Sequence, residues 1–233
     1  MKTIGLIGGM SWESSLLYYR IMNELVKERL GPVHSCQNLM YSVDFAEVEA
    51  RQTQGDWAGL TDMMISAARR LQQGGADCLL ICANTMHKTA EAVERHLSIP
   101  LLHIADATGA RLAAAGLTRV GLLGTRYTME MDFYTGRLAK KFGIQTLIPS
   151  PEERETVHKI IYAELIRGIV RPQSRQAYAR VMASLAEQGA QAIILGCTEI
   201  PLLVQAADSP LPLYDTTRIH AEAAVDFALA AKA

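Results

Sequence analysis

Along the chain, short apolar runs alternate with longer stretches whose apolar residues recur every three or four positions. Thr3–Ile7, Leu39–Val43, Cys78–Cys82, Leu101–His103, Val120–Leu123, Thr146–Ile148, Ala192–Leu195 and Leu213–Tyr214 are predicted as strands buried on both faces. Between them the spacing predicts helices at Ser14–Leu30, Trp57–Gln73, His87–His96, Ala105–Ala115, Met129–Phe142, Glu152–Arg167, Arg175–Gln188 and Thr217–Ala230. Gly31-Pro32, Gly74-Gly75, Gly116, Gly143 and Gly189 fall where those helices should end. Strand and helix in alternation imply an α/β fold with largely parallel sheets.

The pattern also repeats. Thr3-Ile4-Gly5-Leu6-Ile7-Gly8 resembles Arg119-Val120-Gly121-Leu122-Leu123-Gly124. The run from Gly75 to Thr85 resembles the run from Gly189 to Glu199, and Pro100-Leu101-Leu102-His103 resembles Pro212-Leu213-Tyr214-Asp215. The offsets are 116, 114 and 112 residues, nearly constant and in the same order. This predicts a duplicated α/β domain, and two similar halves would leave a ligand cleft between them.

Composition narrows the function classes. The chain has 233 residues, 49% of them hydrophobic and 20% charged, a globular balance that excludes disorder. Its 23 Lys and Arg against 24 Asp and Glu give a net charge of −1, with no electrostatic footprint for nucleic acid. The longest stretch without Asp, Glu, Lys or Arg is the 14 residues Leu30–Val43, shorter than a membrane span needs. The start, Met1-Lys2-Thr3-Ile4-Gly5, leads directly into a strand pattern and reads as lacking a signal peptide. Four cysteines are too few for a disulfide scaffold, and the expected setting is a reducing cytoplasm.

In open α/β sheets, ligands bind beyond the carboxyl ends of the strands. The repeat places Ala83 and Cys197 at equivalent strand ends. Cys197 follows an apolar run and precedes Thr198-Glu199, where a helix N-terminus is expected; free N–H groups there favour a thiolate and can hold a carboxylate. The plain alternative is a buried structural cysteine. Asn84, Thr85 and Thr198 read equally as helix caps and as donors to an anionic small molecule. Strand alternation sets Cys78, Leu80 and Cys82 on one face and Ala83 on the other, so Cys82 reads as core. Cys36 has no neighbouring signature. His87, one turn into a helix, reads as a cap-region side chain or a donor behind the site. Gly5-Leu6-Ile7-Gly8-Gly9 is not a dinucleotide fingerprint, no Walker lysine or G-x-S-x-G elbow occurs, and the histidines and cysteines lack metal spacing.

Four segments carry a resemblance over the whole length to the aspartate/glutamate racemase family. They are Gly8-Gly9-Met10-Ser11-Trp12-Glu13-Ser14, Ala83-Asn84-Thr85-Met86-His87, Gly124-Thr125-Arg126-Tyr127-Thr128 and Leu195-Gly196-Cys197-Thr198-Glu199-Ile200. The resemblance implies two doubly wound α/β domains related by a pseudo-twofold, with the active site in the cleft between them. The first would comprise residues 1–103 with 216–233 and the second residues 104–215, each half exchanging its last helix. It implies no cofactor, a small-molecule amino-acid substrate, no nucleic-acid or membrane partner, and leaves room for a homo-oligomer.

The resemblance further implies two acid/base residues flanking the substrate Cα. Cys197 matches one. Ala83 occupies the other and has no proton to give, so two-base catalysis is expected to be impaired. Asn84, Thr85 and Thr198 match carboxylate-binding positions, Glu199 a position that can hold the ammonium, and Met10 and Gln52 pocket positions. Where many relatives carry a substrate-binding lysine four residues after a tyrosine, this chain has Ile166 after Tyr162. Arg167 is expected to face elsewhere on the helix, and Glu164 reads as a solvated helix charge. The reading that follows is a cofactor-independent racemase for aspartate or glutamate. The alternatives are a single-cysteine decarboxylase-like enzyme and a non-catalytic dicarboxylate or amino-acid binding protein.

Overall fold

The computed structural model describes residues 1–230, which form two compact units. The first unit contains Met1–Ile104 and the chain from His220 onward; the second is Ala105–Ile219. No helix among the described residues is long and apolar enough to cross a membrane.

In the first unit, β1 (Ile4–Gly8), α1 (Trp12–Leu30), β2 (Asn38–Ser42), α2 (Phe45–Gln54), α3 (Trp57–Gln73) and β3 (Cys78–Ile81) are followed by a 3-10 turn, Thr85–Thr89, and by α4 (Ala90–Glu94). The sheet is parallel in the order β2-β1-β3, with Ile4 opposite both Asn38 and Cys78. Leu101 bridges Leu79 beyond β3. The period of two divides the strands between two cores. Ile4, Leu6, Cys78, Leu80 and Cys82 pack with Tyr18 and Met22 of α1 and with Ala221, Ala224 and Val225 of the last helix. Ile7, Leu79, Ile81 and Ala83 pack with Leu60 and Met64 of α3 and with Met86. Helices on both faces make the sheet doubly wound. Each fully buried Leu or Ile contributes about 1.5–3 kcal/mol, so these two faces are what hold the strand ends in place.

The second unit continues from α5 (Ile104–Ala114) through β4 (Arg119–Gly124), α6 (Arg126–Glu130), α7 (Asp132–Phe142), β5 (Gln145–Leu147) and α8 (Pro151–Ala163). A 3-10 turn at Leu165–Arg167, α9 (Pro172–Glu187), β6 (Ile193–Gly196), α10 (Ile200–Leu203) and β7 (Leu213–Asp215) follow, and α11 (Thr216–Leu229) starts in this unit and returns to the first at His220. The order β5-β4-β6-β7 is again parallel throughout. Helix α8 begins with a capping box, Ser150 with Glu153, and Pro151 in its first turn. Helix α5 is seated on α7: Arg137 and Lys141 bind Asp106, and a Cβ on Gly109 would come within 2.3 Å of Phe142.

Several expectations are corrected. The expected strand Leu101–His103 is reduced to a single bridge. Helix α2 was not anticipated, although Asp44 caps its start and Gly55 ends it in a left-handed conformation. The expected helix His87–His96 opens as a 3-10 turn and ends at Glu94. Met131, extended at φ −90 and ψ 145, separates α6 from α7 in the stretch expected to form one helix. The expected division before Thr216 falls after Ile219, because the first turn of α11 belongs to the second unit, where Thr216 Oγ1 donates to Leu195 O at 2.8 Å.

Candidate functional site

The carboxyl end of the first sheet gathers most of the residues expected in a pocket. A Cβ on Gly9, at φ +88, would stand 2.1 Å from Val43 O, so only glycine fits where the chain leaves β1. Met10 follows, joined to Ser11 by a cis peptide bond, and is buried. Met10, Ala83 and Met86 share one apolar cluster, and Gln52 of α2 donates from Nε2 to Met86 Sδ at 3.4 Å. Ala83, Asn84 and Thr85 are all buried at the end of β3. Asn84 stands at the start of the 3-10 turn but makes no side-chain capping bond there, so of its two expected roles the cap is not the one it fills.

His87 fixes this turn. Its Nε2 accepts from Ile104 N at 3.1 Å, so the proton lies on Nδ1, which donates to Ala83 O at 2.8 Å. The imidazole therefore joins the end of β3 to the start of α5. Rings of His103 and His220 lie 4.6 Å and 5.6 Å from it. Cys82 points the other way, into the core with α1 and α11, and burial raises its thiol far above the ordinary cysteine value. Cys78 and Cys36 are pushed up to about 12 and about 11, in both cases chiefly by burial.

At the carboxyl end of the second sheet, Cys197 follows β6 and is buried. Its Sγ donates to Glu199 Oε2 at 3.0 Å, and Thr198 Oγ1 donates to the same oxygen at 2.7 Å. Burial first, and then the Glu199 charge, raise the Cys197 thiol well above its ordinary value. The backbone N–H groups of Thr198 and Glu199 reach the sulfur and pull the other way, but less strongly. The expected thiolate is thus overturned: α10 begins only at Ile200, and a buried carboxylate outweighs two amide dipoles.

Strands β4 and β6 approach closely here. Gly124 is opposite Gly196, and a Cβ on Gly124 would stand 2.8 Å from Gly196 O. Thr125 and Cys197 directly follow these paired glycines. Thr125 caps α6 by accepting from Thr128 N at 3.2 Å. Arg126 N donates to His158 Nδ1 at 3.3 Å, and the His158 ring lies 6.1 Å from Tyr127 and 4.7 Å from Tyr162. Tyr178 of α9, wholly buried and donating to Val157 O at 3.4 Å, is raised chiefly by burial.

Two readings around Ile166 change. Helix α8 stops at Ala163, so the helical-face argument for Arg167 does not apply; both residues lie in the 3-10 turn. Glu164 is not a solvated charge: its side chain is 15% exposed, 3.9 Å from Arg171, and accepts from Ser174 Oγ at 2.6 Å. Sequence reasoning gave no role to Tyr178, Tyr127, His158 or Tyr162. The aromatic and imidazole spacing Tyr127…His158…Tyr162 has no local signature, because α6 and α8 meet only in the fold.

The Asp/Glu/hydantoin racemase family profile matches residues 7–224. A crystal structure of a candidate Asp/Glu racemase from Yersinia pestis superposes with a TM-score of 0.92 at 52% identity, covering 99% of this chain and 100% of that one. An aspartate racemase homologue from Pyrococcus horikoshii OT3 gives 0.84 at 32% identity, over 98% and 99% of the two chains. A broad specificity amino-acid racemase of Bacillus subtilis (strain 168) is 28% identical over 167 residues, 72% of this chain and 71% of that one. With a match across nearly its whole length, the chain belongs to the Asp/Glu/hydantoin racemase family and is by family an amino-acid racemase, an isomerase.

Proposed function

We propose that this protein is a cofactor-independent enzyme of acidic amino acids, aspartate or glutamate, in which Cys197 handles the proton on one face of Cα and Ala83 marks the position where a second acid/base group is missing. The observation that carries the reading is the buried Cys197–Glu199–Thr198 cluster at the end of β6. Asn84, Thr85 and Thr198 bind the substrate α-carboxylate in this reading, and Met10 and Gln52 complete the pocket.

The chemistry follows from proton affinities. An amino-acid Cα–H is far less acidic than a thiol of pKa about 8.5, so N–H donors on the carboxylate and exclusion of water must stabilise the carbanion-like transition state. At rest Cys197 is a thiol hydrogen-bonded to Glu199. To act as a base it first passes its proton to Glu199 Oε2, leaving a thiolate that the Thr198 and Glu199 N–H groups stabilise. The thiolate then takes the Cα proton, and the resulting thiol returns one to the same face. Glu199, already engaged with the thiol, serves in this reading as its proton acceptor, alongside the ammonium contact that the family resemblance suggests.

With Ala83 opposite in function to Cys197, exchange of the Cα hydrogen without inversion is the expected dominant activity. The deciding experiment incubates each enantiomer of aspartate and glutamate in heavy water. Deuterium entering one enantiomer with retention supports the reading. Release of carbon dioxide favours the decarboxylase-like alternative, and binding without exchange a non-catalytic binding protein.

A further inference from the structure

We propose that Arg126, together with His158, is the receptor for the substrate's side-chain carboxylate. The inference rests on the acidic-amino-acid reading above and adds the specificity residues that Ile166 leaves unassigned. Three observations carry it. Arg126 is the second residue after β4, whose Gly124 pairs with the Gly196 that precedes Cys197. Its side chain is therefore rooted one residue beyond Thr125, which directly follows that glycine pair, as Cys197 does.

The second observation is the state of Arg126. The guanidinium lies 5.7 Å from the Tyr127 ring centroid, within the range of a cation–π contact, and no carboxylate pairs with it among the described residues. By contrast Arg154 pairs with Glu130, Arg171 with Glu164, and Arg175 donates to Leu203 O. A planar guanidinium with open donors suits a carboxylate.

The third is His158. Its Nδ1 accepts the Arg126 N–H, so its proton is on Nε2, and that N–H makes no hydrogen bond among the described residues. Burial first, and then the Arg126 charge, hold His158 below its ordinary value against the opposing charges of Glu155 and Glu130, which places the imidazole and the guanidinium in one electrostatic neighbourhood. Tyr127, edge-on at 87°, and Tyr162, tilted at 53°, both contact the ring. One neutral N–H donor in contact with two aromatic rings and beside one cation matches a single carboxylate and offers nothing equivalent to an amide.

The test compares glutamate with glutamine on the full-length protein, by calorimetric binding and by Cα–deuterium exchange. The unmodified protein should prefer glutamate. Arg126→Gln should lower the glutamate-to-glutamine ratio about 10–100-fold, the loss expected for a hydrogen bond to a charged group. Arg126→Lys should restore part of the preference, and His158→Phe should lower it about 3–10-fold, as for a neutral hydrogen bond. An unchanged ratio in folded Arg126→Gln, with glutamate still bound or exchanged, overturns the assignment and leaves the acidic-substrate reading standing. Failure of the unmodified protein to bind or exchange either aspartate or glutamate overturns both.

Discussion

The Cys197 thiol and the Glu199 carboxylate share one proton contact, 3.0 Å from Sγ to Oε2, inside a cluster where both residues are buried. Burial and then the carboxylate raise the thiol, so Cys197 rests as a thiol that donates to Glu199. Glu199→Gln removes the charge and should move Cys197 alkylation to lower pH. The same change removes the proton acceptor and should slow Cα exchange about 10²–10⁴-fold, the usual worth of a general acid/base group. A pH profile of alkylation paired with exchange rates reads both effects. An unshifted profile would show that Glu199 does not control the thiol.

Position 83 should respond to a restored acid/base group. Ala83 lies two residues beyond β3 and is 7% exposed, in a space that already accepts a small side chain. Ala83→Cys or Ala83→Thr should raise conversion between the enantiomers of aspartate or glutamate by about 10²-fold or more, with Cα exchange changing much less. The measurement is chiral chromatography of product beside deuterium content. Rapid racemisation by the unmodified chain, or no gain from either replacement, would sink the role given to Ala83.

The face on which a cysteine sits decides what its loss does. Cys82 packs with Leu6, Leu80 and Val225, while Cys197 lies in the polar cluster after β6. Cys82→Ala should therefore cost stability, about 1–2 kcal/mol by denaturant titration, and leave exchange near its starting rate. Cys197→Ala should abolish exchange in a protein that still folds. Equal loss of exchange from both, in folded proteins, would contradict the alternation of β3.

That alternation was legible because a strand's period of two depends on local geometry alone. The same holds for Ala83 and Cys197 at matching strand ends, since an internal repeat reports topology directly. Local signals failed where the fold supplies the partner. Gln52 stood out as a position, but its helix α2 is short and only Val48 and Gln52 are buried in it, so the apolar period was faint. The thiol state of Cys197 was misread because a helix start was inferred at Cys197, while the structure begins α10 three residues later and turns Glu199 back on the sulfur. His87 reads in the sequence as a cap-region side chain or a donor behind the site; its bonds to Ala83 O and from Ile104 N tie the end of β3 to a residue 17 positions beyond His87.

The last prediction concerns acid stability and comes from His220. Its ring is wholly buried, with Nδ1 accepting from Tyr18 Oη at 2.8 Å and Nε2 donating to Leu102 O at 2.7 Å. Both nitrogens are used by the neutral ring, and burial lowers the folded-state value from 6.5 to about 4. Above the unfolded value both states are neutral, so this residue adds no pH dependence there. As pH falls from 6.5 toward 4, the unfolded chain takes up a proton that the folded one refuses, and stability is lost. The full loss is about 3 kcal/mol, reached below the folded value. Urea unfolding at steps from pH 7 to pH 4 should show this slope. His220→Gln offers an amide donor and acceptor for the same two partners but cannot titrate, so it should flatten the slope over that window. A slope that survives His220→Gln undiminished would assign the acid sensitivity to other groups and leave His220 without this role.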